Sequence, residues 1–78
     1  GRFFYLTSKA MRPYWEAHFG PGDYLVFGRE TRGLPESLLE QEKARLWTIP
    51  MEPAARSLNL ATSVGIVLYE ACRQIHHL

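Results

Sequence analysis

The sequence contains one cysteine, Cys72, in 78 residues. It can close no internal disulfide, and it has no second thiolate with which to build a cysteine-based zinc site. No apolar run approaches the roughly 18 residues of a bilayer span. The opening Gly-Arg-Phe-Phe-Tyr-Leu-Thr is too short in its apolar part for a secretory signal. An excess of one charge is also missing: Lys+Arg 9 against Asp+Glu 8 leave +1, with a pI near 8.1. This balance excludes an acidic tail and a strongly basic nucleic-acid module, so any contact with RNA has to come from individual arginines. There is no internal repeat and no low-complexity segment. Together these absences predict a cytoplasmic protein with no membrane association.

What is present suits a core: 46% of the residues are hydrophobic and 13% aromatic, at a length near the lower limit for one unaided domain. Residues 3–7 and 24–27 are continuous apolar, β-favouring runs, as expected of strands buried on both faces, and residues 46–49 form a third. Residues 9–19 are ambiguous, with Pro13 able to start a short helix carrying Tyr14, Trp15 and Ala17; the Gly-Pro-Gly-Asp that follows is a turn. Pro35 can occupy the first turn of a helix running to residue 44, with Glu36 and Glu40 near its positive end. Pro50 and Pro53 enforce an irregular connection. Residues 59–77 then read as a helix with Leu60, Val64, Val67, Leu68, Ala71, Cys72 and Ile75 on one stripe. Strands alternating with helices predict an α/β fold with a parallel sheet. Three short strands and one long helix cannot cover both faces of such a sheet, so further covering surface is expected. Ala61, Gly65, Ile66 and Tyr69 lie off the main stripe and predict a second apolar surface on the last helix.

Two loops follow predicted strands at the end where open α/β sheets bind ligands. The first, Gly28-Arg-Glu-Thr-Arg-Gly33, has the glycine spacing of a P-loop, but Leu34 and Pro35 stand where lysine and a hydroxyl residue would reach phosphates and magnesium. The Gly-x-Gly-x-x-Gly of a dinucleotide site is absent as well, and Glu30 would repel a pyrophosphate. Gly28 and Gly33 are explained equally by backbone turns with positive φ. The second loop leads from Thr48 into the last helix, with Ser57 and Asn59 both able to cap it. The pair of loops predicts one pocket.

"LVFGRETRGLP" followed by "IPMEPAARSLNLATSVGIVLYEACRQ" resembles the second and third motifs of the SPOUT RNA methyltransferases, the trefoil-knotted enzymes. The likeness is strongest to the subgroup that methylates the ribose 2'-hydroxyl of the wobble nucleotide in certain tRNAs. It covers nearly the whole chain and corresponds to the C-terminal half of a family member. The resemblance implies that residues 1–78 are the C-terminal part of a single SPOUT methyltransferase domain, and that S-adenosylmethionine lies bent between three loops. Matched position by position, Leu6, Gly28, Ile49, Ser57 and Leu58 fall on cofactor-contacting positions, and Glu30, Arg56 and Asn59 on motif positions near the reacting groups. The chemistry of these residues agrees: Gly28 lets adenosine approach the backbone, Ile49 and Leu58 offer apolar contacts, and Ser57 can hydrogen-bond. Arg29 stands where the family usually carries proline or another small residue. An arginine of the first motif, thought to serve near the 2'-hydroxyl in related enzymes, is not among these residues, so the 78 residues alone are expected to be inactive.

Simpler readings stand beside these. Glu30 and Arg32 also fit an exposed ion pair. Cys72 fits the core, and Tyr69 fits either the core or a dimer face. His76 and His77 are spaced wrongly for one metal-binding helix face and fit a solvated tail; no metal is expected. Two functions follow from the resemblance. One is a tRNA 2'-O-methyltransferase that works as a homodimer through its C-terminal helix. The other is a non-catalytic RNA-binding or dimerisation module on the same scaffold. Ser57 and Asn59 favour the enzyme, since a binding module would be free to lose them.

Overall fold

The computed structural model describes residues 1–28, 33–51 and 59–77. Strand β1, Phe3–Leu6, lies at the centre of a three-stranded parallel sheet, between β2, Tyr24–Phe27, and β3, Leu46–Trp47. The register sets Phe3 beside Tyr24, Leu6 beside Phe27, and Leu6 beside Trp47 on the other side. The expected α/β class and parallel sheet are therefore observed.

Because side chains alternate along a strand, the sheet sorts its residues into two apolar clusters. On one face Phe4 and Leu6 pack with Ala17, Phe19, Val67 and Ala71, with Leu25, Phe27, Trp47 and Ile49 at the margin. The covering helix on this side is α2, Leu60–His76, whose Val67 is completely buried. On the other face Tyr5 packs with Leu34, just before a much shorter helix, α1, Glu36–Gln41, and with Leu39 of that helix. Six residues of helix cannot cover this side. Phe3 and Tyr24 stay 42% and 54% exposed, stacked on each other with ring centroids 4.7 Å apart.

The elements differ from the sequence reading in instructive ways. Burial on both faces holds for Phe4, Tyr5 and Leu6 of the central strand, but β2 is at most half-buried because only one of its edges is paired within the described sheet. The expected short helix is present as a single 3-10 turn carrying Tyr14 and Trp15, with Pro13 as its cap and Ala17 outside it. Pro13 is extended and bridges Thr48, the Thr48 N–H donates to the Arg12 carbonyl at 2.8 Å, and only Tyr14–Glu16 turn as a 3-10 helix. Arg12 fixes this edge by stacking 4.1 Å above the Trp47 ring while its guanidinium donates to the Ala44 and Leu46 carbonyls. Pro35 caps α1 instead of entering it, and a 3-10 turn, Lys43–Arg45, replaces the last expected turn.

Helix α2 is capped by Asn59, whose side-chain oxygen accepts from the Thr62 N–H at 2.8 Å. Removing such a cap costs about 1 kcal/mol. At the far end His76 is helical and His77 takes the left-handed conformation, φ 57, donating its N–H to the Arg73 carbonyl, so the histidines end the helix in an ordered cap. Leu68 is 51% exposed and belongs off the core stripe; Tyr69, at 65%, is not a core residue, and Cys72 is half-buried.

Candidate functional site

All three strands run the same way, and the register aligns their carboxyl ends. Thr7, Gly28 and Thr48 therefore leave the same edge of the sheet, at the end where open α/β sheets carry their ligands. The first loop turns immediately: the Ala10 N–H donates to the Thr7 carbonyl at 3.3 Å and the Lys9 N–H to the Thr7 hydroxyl at 3.2 Å, while the Thr7 N–H extends the ladder to the Trp47 carbonyl. A threonine hydroxyl that captures a backbone N–H two residues on is a stable local turn, and here it presents Lys9 outward.

Gly28 opens the second loop. A Cβ at this position would collide with the backbone of Gly33 and Leu34. The chain therefore approaches itself where a side chain would stand, and this alone requires glycine. Gly33 is needed for a different reason, its φ of +67. The two glycines have separate jobs, one to permit close approach and the other to permit a left-handed turn.

Of the residues matched to the cofactor, Leu6 is buried at the carboxyl end of β1, Gly28 is half-buried at the end of β2, and Ile49 is half-buried beyond β3 against the first apolar cluster. Leu6 and Ile49 thus lie on the same edge of the sheet as Gly28. Ser57 and Leu58 lie outside the described residues, as do Arg29, Glu30, Arg32 and Arg56. Asn59 is the only one of the three expected catalytic positions within them, and its side-chain oxygen is engaged in the helix cap.

Sequence reasoning missed one pair at this edge. Lys9, on the turn after β1, forms an ion pair with Glu36, the first residue of α1. The two are far apart in sequence with no periodic relation, so only the position of Lys9 just past a strand hinted at it. An open cleft lined by Trp15, Glu16, His18, Arg73 and Gln74 lies elsewhere, beside the amino end of the sheet. Two of its polar side chains, Arg73 and Gln74, are already engaged. The Gln74 amide donates to the Ala17 carbonyl and accepts from the Phe19 N–H, both at 2.9 Å, and Arg73 forks onto Glu70 with two bonds of 2.7 Å. The forked bonds from Arg73, and then the bond from Gln74, hold the Glu70 carboxyl at about 2, below its ordinary 4.5. This cleft belongs to the scaffold.

The chain is similar to known RNA methyltransferases. The model of the SpoU rRNA Methylase family matches residues 1–69. The tRNA (cytidine(34)-2'-O)-methyltransferase of Escherichia coli strain K12 is 46% identical over 78 residues, covering 95% of this chain and 48% of that enzyme. A solved structure described as giving insights into the 2-OH methylation of C/U34 on tRNA superposes with a TM-score of 0.90 at 44% identity, over 99% of this chain and 49% of that one. The AdoMet-bound rRNA methyltransferase of Sinorhizobium meliloti superposes with a TM-score of 0.78 at 33% identity, over 99% and 29%. The chain spans about half the length of the curated relatives it matches.

Proposed function

We propose, from the premise that the chain belongs to the SpoU rRNA Methylase family, that the protein containing it methylates a ribose 2'-hydroxyl in tRNA, at the wobble nucleotide, with S-adenosylmethionine as donor. Residues 1–78 form the C-terminal part of a single knotted SPOUT methyltransferase domain, acting in the cytoplasm. The observation that carries this reading is the family match over residues 1–69, and it is supported by the alignment of three parallel strands whose carboxyl ends leave one edge of the sheet.

The cofactor supplies an electrophilic methyl group on a sulfonium. Leu6, Ile49 and Leu58 are the residues that would exclude water around the adenosine, Ser57 would hold it by a hydrogen bond, and Gly28 serves by letting the second loop fold back on the end of β2. An alcohol is a poor nucleophile, so its proton has to be taken as attack proceeds, with the hydroxyl held in line with the methyl group. Glu30, Arg56 and Asn59 are the residues of this chain assigned to the surroundings of that hydroxyl. The capping bond of Asn59 fixes its orientation at the start of α2, as a positioned group requires.

The working form is a homodimer through α2. Supporting this, Ala61, Gly65, Leu68 and Tyr69 line an exposed surface of the helix, and a Cβ built on Gly65 meets nothing within 4 Å. Exposed apolar surface costs about 25 cal/mol per Å², and the small residues leave room for a partner helix.

Calorimetric titration of the full-length protein with S-adenosylmethionine, followed by a methyl-transfer assay on unmodified tRNA, tests the activity. Micromolar binding and ribose methylation are expected, and the absence of either overturns the reading. In sedimentation, the native protein is expected to be a dimer and Gly65→Glu an inactive monomer. A native monomer that methylates tRNA would exclude the dimer.

A further inference from the structure

The Lys9–Glu36 pair has a position and an environment that a structural salt bridge does not need. It joins the turn after β1 to the first residue of α1, at the edge from which the site's loops depart, and its side chains are 59% and 76% exposed. An ion pair this open contributes little to stability, since solvent screens it and both long side chains lose freedom. For the same reason, little is lost when one partner is exchanged for another.

The remaining described cations are committed. Arg2 is bonded to Asp23 at the opposite end of the sheet, and Arg12 is stacked on Trp47 with its guanidinium on backbone carbonyls. Lys43, Arg45 and Arg73 each pair with the glutamate three residues earlier in the sequence, away from the carboxyl edge of the sheet. Among the described residues, Lys9 is the one cation on the strand-end loops held only by an exposed partner from another element. With a net charge of +1, the chain has no broad basic field to attract a polyanion, so individual cations must make the contacts.

Resting on the function proposed above, we propose that Lys9 binds a backbone phosphate of the RNA substrate, with Glu36 holding its ammonium in place until the phosphate displaces it. The turn built on the Thr7 hydroxyl sets the Lys9 backbone, so the exchange needs only the side chain to swing. A phosphate oxygen accepts from the ammonium in a charge-assisted bond at least equal to the one lost, and the freed Glu36 carboxylate returns to water. Glu36 thereby becomes a competitor that sets affinity: it disfavours anions until one arrives that lysine prefers.

The test is equilibrium binding of unmodified tRNA to the full-length protein over a range of salt concentrations, with Lys9→Ala, Lys9→Arg and Glu36→Gln beside the native protein. Thermal melts confirm folding, and titrations with S-adenosylmethionine run alongside. Lys9→Ala is expected to weaken tRNA binding about fivefold at low salt and to reduce the steepness of log K against log salt by about 0.7, one phosphate contact on a single strand. Lys9→Arg is expected to restore the steepness. Glu36→Gln is expected to tighten binding about twofold to threefold with the native salt dependence. Affinity for S-adenosylmethionine is expected to stay unchanged throughout. An unchanged salt dependence in Lys9→Ala, or weaker tRNA binding in Glu36→Gln, overturns the proposal. So does a loss confined to cofactor affinity, which would assign Lys9 to the cofactor's carboxylate. If native protein binds no tRNA at all, the RNA reading falls and takes this one with it; if it binds tRNA and Lys9→Ala binds equally, only the role of the lysine falls.

Discussion

The two ends of the parallel sheet are built to opposite specifications. At the amino end, bonds that cross between elements close on one another. The Arg2 N–H donates to Asp23 at 2.8 Å, the Asp23 carboxylate also accepts from the Gly20 N–H at 2.8 Å, and the Tyr24 N–H returns to the Arg2 carbonyl. Gln74 of α2 clamps both Ala17 and Phe19, and Glu70 in turn orients Gln74 at 2.9 Å. At the carboxyl end, the end of β3 is pinned by Arg12, Pro13 and Tyr14, but the contacts around the other loops are of another kind: a glycine kept bare by backbone approach, an exposed ion pair, and a helix cap. The amino end uses its polar groups on fixing strands and helix together, and the carboxyl end leaves the Lys9–Glu36 pair open to solvent. The amino end is locked by crossing bonds, so under the proposed function the loops at the other edge are free to be shaped by a ligand.

Four measurements on the full-length protein would break or sharpen this contrast. The largest effect is expected of Gly28→Val. Its side chain must occupy space held by the Gly33 and Leu34 backbone, so the variant should lose more than about 3 kcal/mol of stability and its cofactor binding together. A stable Gly28→Val that binds S-adenosylmethionine normally would mean that the close approach is dispensable. Next is Gln74→Ala, which leaves the Phe19 N–H and Ala17 carbonyl without this partner at a half-buried site and should cost about 2 kcal/mol in denaturant unfolding. Its cofactor affinity should remain within about twofold; a larger loss would show that the two ends are coupled.

A smaller effect, confined to turnover, is expected of Asn59→Ser. Serine caps a helix about as well as asparagine, so stability should hold within about 0.5 kcal/mol, while methyl transfer should fall about tenfold or more if the carboxamide stands near the hydroxyl. Unchanged turnover would leave Asn59 as a cap alone. The smallest effect is a pH dependence seated at the amino end. The Glu70 carboxyl is held at about 2 by Arg73 first and Gln74 second, and Asp23 is lowered chiefly by the Arg2 backbone N–H. Groups with depressed folded values stabilise the protein above their ordinary values. For Glu70 that contribution is lost as pH falls from 4.5 toward about 2. Glu70→Gln should flatten the acid limb of a stability profile, and an identical limb would remove Glu70 from the lock.

The sequence made the parallel α/β arrangement legible because β1 carries three consecutive buried residues, Phe4, Tyr5 and Leu6, a pattern that only a strand covered on both faces needs. It did not reveal that β2 would be exposed at Tyr24. Strand order decides that, and parallel strands carry no hairpin to announce their neighbours. Leu68 misleads for a related reason: it fits the same helical period as Val64 and Ala71, and only the position of the sheet selects Val67 and Ala71 for the core. At the site, glycine spacing by itself left Gly28 ambiguous, and the backbone approach explains it without reference to any ligand. The cofactor and substrate assignments came from motif likeness, since Ser57 or Arg56 in isolation has no periodicity or spacing that marks it. The Lys9–Glu36 pair was invisible because it depends on where two loops end in space.

The central position of β1 also bears on how the chain reaches this arrangement. β1 meets β2 about 20 residues downstream and β3 about 40 residues downstream, with no antiparallel hairpin in the described sheet to form early. Each pairing closes a long loop before any ladder bond rewards it. High contact order of this kind slows folding, and a strand awaiting partners on both edges exposes Phe4, Tyr5 and Leu6 in the meantime. Helix α2, whose internal contacts are local, can form within microseconds and offer Val67 and Ala71 as an apolar surface for β1 to collapse onto. The order of events would then run against the order of the sequence, with the last helix in the chain organising its first strand.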